Sequence, residues 1–562
     1  MRKTTRSKLA LTTSFALSAT MMCSQSFAAS TDPDHPNILL VVADDMGFAD
    51  LGSYGSEIET PNLDSLASSG IRMTNFHTTP ACSPTRASLL TGVDPHKAGL
   101  GNMAEELAPN QEGQPGYEGH LNDRVAALPA LFRDAGYNTY LTGKWHLGKE
   151  EGSRPTDRGF DHSFSLLVGG ASHFSDMKPS YAPSPEIKAP YAEDGVLLDE
   201  LPDDFEYSSQ FYADRMIEYI EADKDSNAPF FGMLSYTAPH WPLQAPEDAM
   251  EKYRGRYDAG YDQIFNERLE AQKSMGLIPA DAEGAPRPPK GRPWESLSSE
   301  EQKVESRAME IYAAMVDELD AHTGRVFDYL KQNDLYDNTI VIFMSDNGAE
   351  GHDLDETWPA DLFPEIRRVI DETNDFSYEQ MGRVGSYTFY GPNWAWAGSP
   401  AFNLHKGFPT EGGTRSIAIL KTPGLEGGEI NDSLTSVKDI APTLLELAGI
   451  VHPGTEYKGR EIAPITGTSL LPVLSGNAEV EDRVLGGELF GKYYIRQGDW
   501  KLVMMPKPYG DDEVQLFNLG EDLGERHDLS QEHPEKLAEM RALWEQYAEE
   551  NDVIIPNWVS GY

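Results

Sequence analysis

Apolar and polar positions follow two rhythms along this chain. Unbroken apolar runs rich in β-branched residues occur at Asn37–Ala43 and Thr339–Ser345, with shorter ones at residues 139–142, 229–236 and 416–420. Such runs predict strands buried on both faces. Between them, apolar residues step by three and four, the period of a helix with one buried side. A helix is predicted after Thr60 as cap and Pro61 as first residue, with Gly70 as its stop. Others are predicted around 128–132, closed by Gly136, around 211–220, and from Asp439 through Leu444, Leu445 and Leu447 to Gly449. The capping box Ser298-Ser299-Glu300-Glu301 opens a long one through Met309, Tyr312, Met315 and Leu319. Residues 246–293 are polar and irregular and predict an excursion over the surface. Strands alternating with helices up to about residue 470 predict a mostly parallel, doubly wound α/β sheet. Beyond Pro472 the texture changes. Residues 492–496, a turn at Gln497-Gly498-Asp499 and residues 500–505 predict an antiparallel hairpin, with 514–519 as a further strand and the amphipathic stretch 534–547 packed on it. The expected division is residues 1–28, 29–475 for the large α/β unit and 476–562 for a smaller α+β unit.

The apolar runs stop abruptly in polar clusters: Asp44-Asp45-Met46-Gly47, Gly143-Lys144-Trp145-His146-Leu147-Gly148, Ala238-Pro239-His240 and Asp346-Asn347-Gly348. Each has an ordinary explanation when taken singly. Asp44-Asp45 suits a helix cap or an exposed turn, and Lys144 or His146 suits a surface or a core. In an open α/β sheet, however, the carboxyl ends of the strands lie along one edge, where ligands bind. Together the clusters predict one site. Asp44, Asp45, Asp346 and Asn347 would offer a hard, oxygen-only ligand set, which favours one Ca²⁺, ahead of Mg²⁺, over zinc.

Charge and cysteine content narrow the setting. Met1-Arg2-Lys3, Arg6 and Lys8, an apolar stretch from Leu9 to Met22, and Ser26-Phe27-Ala28 predict an export signal cleaved after Ala28. Lipid attachment at Cys23 is the alternative, with a poor lead-in. No later run reaches the ~20 apolar residues of a membrane span. An exported, periplasmic or secreted protein is expected, with Cys82 left without an intramolecular disulfide partner. The formal charge is −45, and loss of the four basic residues of the signal makes it −49. That excludes a general nucleic-acid binder. It also opposes long-range attraction of an anion, so an anionic substrate needs a local cationic cluster and a medium salty enough to screen the rest.

Residues 85–91 with Gly92 as stop predict a helix that holds Pro84 in its first turn. Cys82 then stands at a helix N-terminus, where the dipole favours a thiolate, and Arg86 follows one turn on. Cys82-Ser83-Pro84-Thr85-Arg86 resembles the Cys-x-Pro-x-Arg signature of type I sulfatases. Asp44-Asp45, Gly143–His146, Ala238-Pro239-His240, Asp346-Asn347-Gly348 and Lys406 match the remaining motifs of that family in order. The resemblance implies an alkaline-phosphatase-like fold and sulfate-ester hydrolysis. It implies a Ca²⁺ held by Asp44, Asp45, residue 82, Asp346 and Asn347, and oxidation of Cys82 to Cα-formylglycine by a formylglycine-generating or sulfatase-maturing enzyme. Arg86, Lys144, His146, His240 and Lys406 are the implied catalytic partners of Cys82. Arg86 would hold the hydrated aldehyde, Lys144, His240 and Lys406 would grip sulfate oxygens, and His146 would assist release. The two histidines can exchange roles. With the ion and a sulfate monoester counted, these groups sum to one positive charge. The substrate is expected to be a small aryl or alkyl sulfate or a sulfated sugar, selected by loops such as 169–173 or 387–396. A phosphonate or phosphate ester hydrolase of the same superfamily is the alternative.

Overall fold

The computed structural model describes residues 1, 35–226, 228–425, 427–476 and 483–558. The export signal expected at residues 1–28 falls, apart from Met1, outside them. Among the described residues, ten strands form one sheet. They are β1 (Asn37–Ala43), β2 (Ile71–Met73), β3 (Asn138–Lys144), β4 (His162–Leu166), β5 (Tyr191–Glu193), β6 (Val196–Leu197), β7 (Phe230–Ser235), β8 (Thr339–Ser345), β9 (Ala418–Lys421) and β10 (Glu429–Asn431). Their order is β10-β2-β9-β8-β1-β7-β3-β4-β5-β6. The centre, β8-β1-β7-β3-β4, is parallel, while β9 and β5 join antiparallel to their neighbours on either side.

The apolar run of β1 explains its central position. Leu39, Val41 and Ala43 face one core, and Ile38, Leu40 and Val42 face the other. A strand with seven buried residues in succession needs helices on both sides. On the first side lie α1 (Pro61–Ser69), α3 (Ser208–Ala222), α4 (Tyr261–Met275) and α5 (Ser299–Gln332). On the second lie α2 (Cys82–Thr91), the short helix Leu128–Asp134 and α6 (Ile440–Leu447). The capping box predicted for α5 is present, with the Ser298 hydroxyl accepting from the Glu301 amide and the Glu301 carboxylate from the Ser298 amide.

Several local expectations are corrected. Residues 246–293 are not an irregular excursion. They contain the helix Glu247–Lys252 and α4, whose Tyr261, Ile264, Phe265, Arg268 and Leu269 are buried. The acidic and amide residues between those positions hid the helical period. Thr60 stands at the N-cap of α1 without capping it, because its hydroxyl is turned to Asp64 and the Gly52 amide. α2 begins at Cys82 rather than Thr85. Pro84 still lies in the first turn, where its missing N–H leaves no intrahelical bond unmade. Lys144 is the last residue of β3 instead of following it.

Toward the C-terminus, β11 (Val484–Leu489), β12 (Lys492–Gln497), β13 (Trp500–Met504) and β14 (Val514–Asn518) form an antiparallel sheet in sequence order. β11 had no forecast in the sequence. α7 (Pro534–Glu550) covers the sheet, with Met540 fully buried among Ile495, Leu502 and Leu516. A buried charge network joins this sheet to the main one: Lys501 Nζ donates to Glu411 at 2.8 Å and pairs with Glu525 at 3.0 Å, while Arg496 reaches Glu411 at 3.2 Å.

Candidate active site

Four consecutive parallel strands, β8-β1-β7-β3, end at one place, and the in-register pairs Ala43 with Ser345 and Val42 with Ser235 bring their polar exits level. Backbone bonds extend the alignment one step further, since the Asp346 amide donates to Ala43 O at 3.1 Å and the Asp44 amide to Ala238 O at 3.1 Å. Asp45 then takes a left-handed φ of 70°, a region that Asp tolerates better than most residues. Its amide donates to Asp346 Oδ1 at 3.3 Å. Gly348 follows Asn347 because a Cβ there would lie 1.9 Å from Gly412 O. Gly143 is needed for the same reason at β3, where a Cβ would meet Ser235 O at 1.8 Å.

Cys82 is carried in by the first turn of α2, all of whose residues are buried. The stretch before it is tied down by Thr85, whose hydroxyl meets Thr79 Oγ1 at 2.7 Å and accepts from the Thr79 amide at 3.0 Å. Cys82 Sγ lies 3.8 Å from Asp45 Oδ1. Arg86, one turn on and on the same side of the helix, is clamped by its surroundings. Its Nε and second terminal nitrogen approach Asp346 Oδ2 at 2.9 and 2.8 Å, and its other terminal nitrogen donates to Lys144 O at 3.0 Å and to Ser235 Oγ. Lys144 Nζ bridges both oxygens of Asp44, at 2.9 and 2.7 Å. Lys406 arrives on a distant loop whose backbone is fixed by Lys406 N to Ala349 O at 2.9 Å and Gly407 N to Pro80 O at 2.7 Å. Its Nζ pairs with Asp45 Oδ2 at 2.9 Å and Glu350 Oε2 at 3.1 Å. His240 Nε2 is 3.6 Å from Asp45 Oδ2, and His146 Nε2 is 3.0 Å from Glu105 Oε1.

All ten residues singled out in the sequence therefore converge, and the tightest knot is Asp44, Asp45, Cys82 and His240, whose potential ligand atoms lie within 4.8 Å of one another. Asp346 stands outside that foursome, with its oxygens engaged by Arg86 and the Asp45 amide. Asn347 turns its amide nitrogen to Asp45 Oδ1 at 2.7 Å and to Gly348 O, leaving its buried Oδ1 with no hydrogen-bond partner among the described residues. A buried amide oxygen left in this way beside crowded carboxylates suits a hard cation.

The electrostatics agree. Burial, with Asp346 and Asp45 close by, pushes the Asp44 carboxyl up, and Lys144 and Arg86 pull it back. Burial works against charge on Lys144 and Arg86 as well, but the carboxylates outweigh it and both cations are held above their ordinary range. Burial drives both histidines down; for His240 Lys406 and Lys144 add to the effect, and for His146 Glu105 opposes it. The thiolate expected at the head of α2 is not favoured. Burial raises the Cys82 thiol well above its ordinary value, more than Lys144 and Lys406 offset.

Three participants were not foreseen. Ser235 bridges Arg86 and the Lys144 carbonyl, Glu350 shares Lys406, and Glu105 holds His146. Glu105 and Glu350 lower the local charge sum by two. Of the expected specificity loops, residues 169–170 reach the site, since Gly169 lies against the His146 ring and both line cavities there. Within residues 387–396, Tyr387 and Phe389 pack on the ring of Trp241, next to His240, at 5.8 and 5.2 Å. Trp394 and Trp396 belong to the helix Gly391–Gly398 and are buried against Tyr261 and Phe265 of α4.

A sulfatase family model matches residues 36–450, the whole span from β1 to the end of α6. The chain belongs to the sulfatase family. It is 42% identical over 540 residues to an uncharacterized sulfatase of Schizosaccharomyces pombe, covering 94% of this chain and 96% of that protein. It is 38% identical over 448 residues to an arylsulfatase of Klebsiella aerogenes, covering 79% of this chain and 93% of the relative. Two solved structures share the fold: Ps i-CgsB in complex with a neocarrahexaose (TM-score 0.65, 24% identity, 93% and 95% covered), and the PsFucS1 sulfatase from Pseudoalteromonas sp. (TM-score 0.57, 21% identity, 93% and 92% covered). The sulfatase is an enzyme that hydrolyses sulfate esters on an alkaline-phosphatase-like scaffold. No helix among the described residues is long and apolar enough to cross a membrane.

Proposed function

We propose that this sulfatase cleaves sulfate monoesters through a formylglycine made from Cys82, beside a Ca²⁺ held by Asp44, Asp45, Asp346, Asn347 and residue 82. The observation that carries the reading is the position of Cys82. Its thiol lies 3.8 Å from Asp45, with Asp44, Asp346, Lys144, Lys406 and Arg86 gathered around it, yet burial raises it well above its ordinary value, so it would be a poor nucleophile. A hydrated aldehyde at that place would supply two hydroxyls, one to take the sulfuryl group and one to release it. Bound Ca²⁺ would supply Lewis acidity toward a sulfate oxygen.

The protein's own groups do the rest. Lys144 and Lys406 neutralise the equatorial sulfate oxygens, and Arg86 holds residue 82 while offsetting Asp346. His146 is anchored through Nε2 by Glu105, and its Nδ1 is buried with no partner among the described residues. That leaves Nδ1 to accept a proton from residue 82. His240, pushed down by burial and two lysines, is a strong acid once protonated and suits the departing alcohol, with Lys406 as the other candidate. Export to the periplasm or beyond, and conversion of Cys82 by a maturing enzyme, complete the reading.

The test is the mass of the peptide that carries residue 82, taken from protein of known specific activity. Activity should track the fraction in which sulfur has been exchanged for an aldehyde oxygen. Full activity with an intact thiol would remove the proposal. Competing sulfate and phosphate monoesters at equal concentration should give preferential sulfate cleavage.

A further inference from the structure

The sulfate pocket adjoins a much larger chamber. Glu105, His146 and Tyr181 line both, and the chamber holds about 690 Å³, inside the roughly 300–1,000 Å³ of sites that enclose a whole small molecule. It also reaches the group proposed to protonate the departing alcohol. Gly170 in its wall is so close to His240 that a Cβ there would lie 3.1 Å from the imidazole. Much of the wall is apolar, with Leu100, Leu107, Leu167, Val168, Ile187 and Pro190 contributing. Ile187 is 46% exposed, apolar surface that an apolar guest would take out of water. Most polar groups of the wall are already engaged. His146 Nε2 faces Glu105 Oε1 at 3.0 Å, Glu118 pairs with Arg124 at 2.8 Å, and the Ser153 hydroxyl donates to Glu150 O at 2.7 Å. Lys149, Glu150 and Lys188 are exposed, with their charges in water. Among the described residues, two buried side-chain atoms of the wall lack a hydrogen-bond partner, Ser83 Oγ and His146 Nδ1. The first belongs to the chain neighbour of residue 82, and the second is the atom already assigned to residue 82.

We propose that this chamber is the subsite for the leaving alcohol and that it selects an apolar body, so that the preferred substrates are sulfate monoesters of phenols or alcohols extended by an alkyl chain or a further ring, rather than sulfated sugars. This rests on the sulfatase reading of the adjoining pocket. A pyranose brings several hydroxyls, each of which gives up water on entering and needs a partner in exchange. Away from residue 82 the wall has few to give. A hydrocarbon extension needs none and gains with every methylene it removes from water. The charge of the whole chain points the same way. At −45 it repels a substrate according to the charge that substrate carries, so a single sulfate on a neutral body is admitted more readily than a multiply sulfated sugar chain.

The sulfates of para-methyl-, para-propyl- and para-pentylphenol release phenols of nearly equal acidity, so the series varies only what the chamber touches. With matured full-length enzyme, kcat/KM should rise about threefold per added methylene, on the order of a hundredfold from methyl to pentyl. A para-glucosyloxy group in the same place should gain little over methyl. Ile187→Ser and Leu107→Asn should each flatten the rise while kcat for the methyl compound stays near that of the parent. Each slope is taken within one preparation, so incomplete folding of a variant cancels. A flat series in the unsubstituted enzyme, a slope that neither variant lowers, or a glucosyl compound cleaved as well as the pentyl one would each overturn the subsite. Failure to cleave any of the four would bring down the sulfatase reading and the subsite with it, a result distinct from cleavage without preference.

Discussion

Asn347 shows how one side chain divides its duties: the amide nitrogen donates to Asp45, and the buried amide oxygen, with no hydrogen-bond partner among the described residues, is the atom the proposed Ca²⁺ would take. Adding Ca²⁺ should therefore raise the urea midpoint of the protein, as any ligand of the folded state does. Asn347→Ala should shrink that increment and weaken calorimetrically measured Ca²⁺ binding. Cys82→Ala should abolish turnover while the far-ultraviolet circular dichroism and the urea midpoint in the absence of Ca²⁺ stay close to the parent. Residues such as these were legible in the sequence because strand ends announce themselves: an apolar run stops at Asp44 and another at Asp346, and sheet geometry makes them neighbours. Glu105, Ser235 and Glu350 were not legible. Glu105 sits in a loop rich in similar residues, and its meaning comes only from His146 being 3.0 Å away. Ser235 reads as the tail of an apolar strand until Arg86 is seen to need it.

At the scale of elements, α4 is the part the sequence concealed and the site depends on. Its Arg268 is buried, donates to Asp50 Oδ1 at 2.6 Å and reaches Glu57 at 2.9 Å. Asp50 in turn accepts from the Gly47 amide at 2.8 Å and from Tyr312 of α5 at 2.7 Å, which fixes the turn that follows Asp44-Asp45. Arg268→Met leaves the buried Asp50 and the partly buried Glu57 carboxylates without their partner and should cost about 3–5 kcal/mol of stability in urea unfolding. Weaker Ca²⁺ binding should accompany that loss. A second junction ties the far end of α2 to the C-terminal sheet. His96 lies between Asp94 at 2.9 Å and Glu488 of β11 at 3.4 Å, and Tyr547 of α7 donates to Asp94 at 2.8 Å. Burial opposes a charge on His96, but the two carboxylates raise it from 6.5 to about 9. A pKa raised on folding stabilises fully below the unfolded value and fades as pH climbs through the folded one. This part of the stability should thus be complete below pH 6.5 and lost through about pH 9. His96→Gln should flatten the unfolding midpoint over that interval.

At the scale of the whole molecule, a chain carrying −45 surrounds a pocket built to hold an anion. Raising ionic strength shortens the reach of the outer charge from about 10 Å at 0.1 M salt to about 3 Å at 1 M. KM for a singly anionic aryl sulfate should fall as salt increases toward that of seawater, while kcat changes little. A KM that climbs over the same range would count against this account of the acidic surface. The layout of the main sheet followed from the apolar runs, because a strand covered on both faces leaves few architectures. Its antiparallel margins and β11 escaped notice, because a short strand paired at an edge needs no distinctive run of residues. One feature also sets an order of events. Cys82 is 1% exposed, on a helix with every residue enclosed and the 404–407 loop strapped across its approach. An enzyme that must grasp this residue has access to it only while the chain is still open. The oxidation proposed for Cys82 would then have to precede closure of the fold, and a molecule that closes with its sulfur in place would stay unconverted.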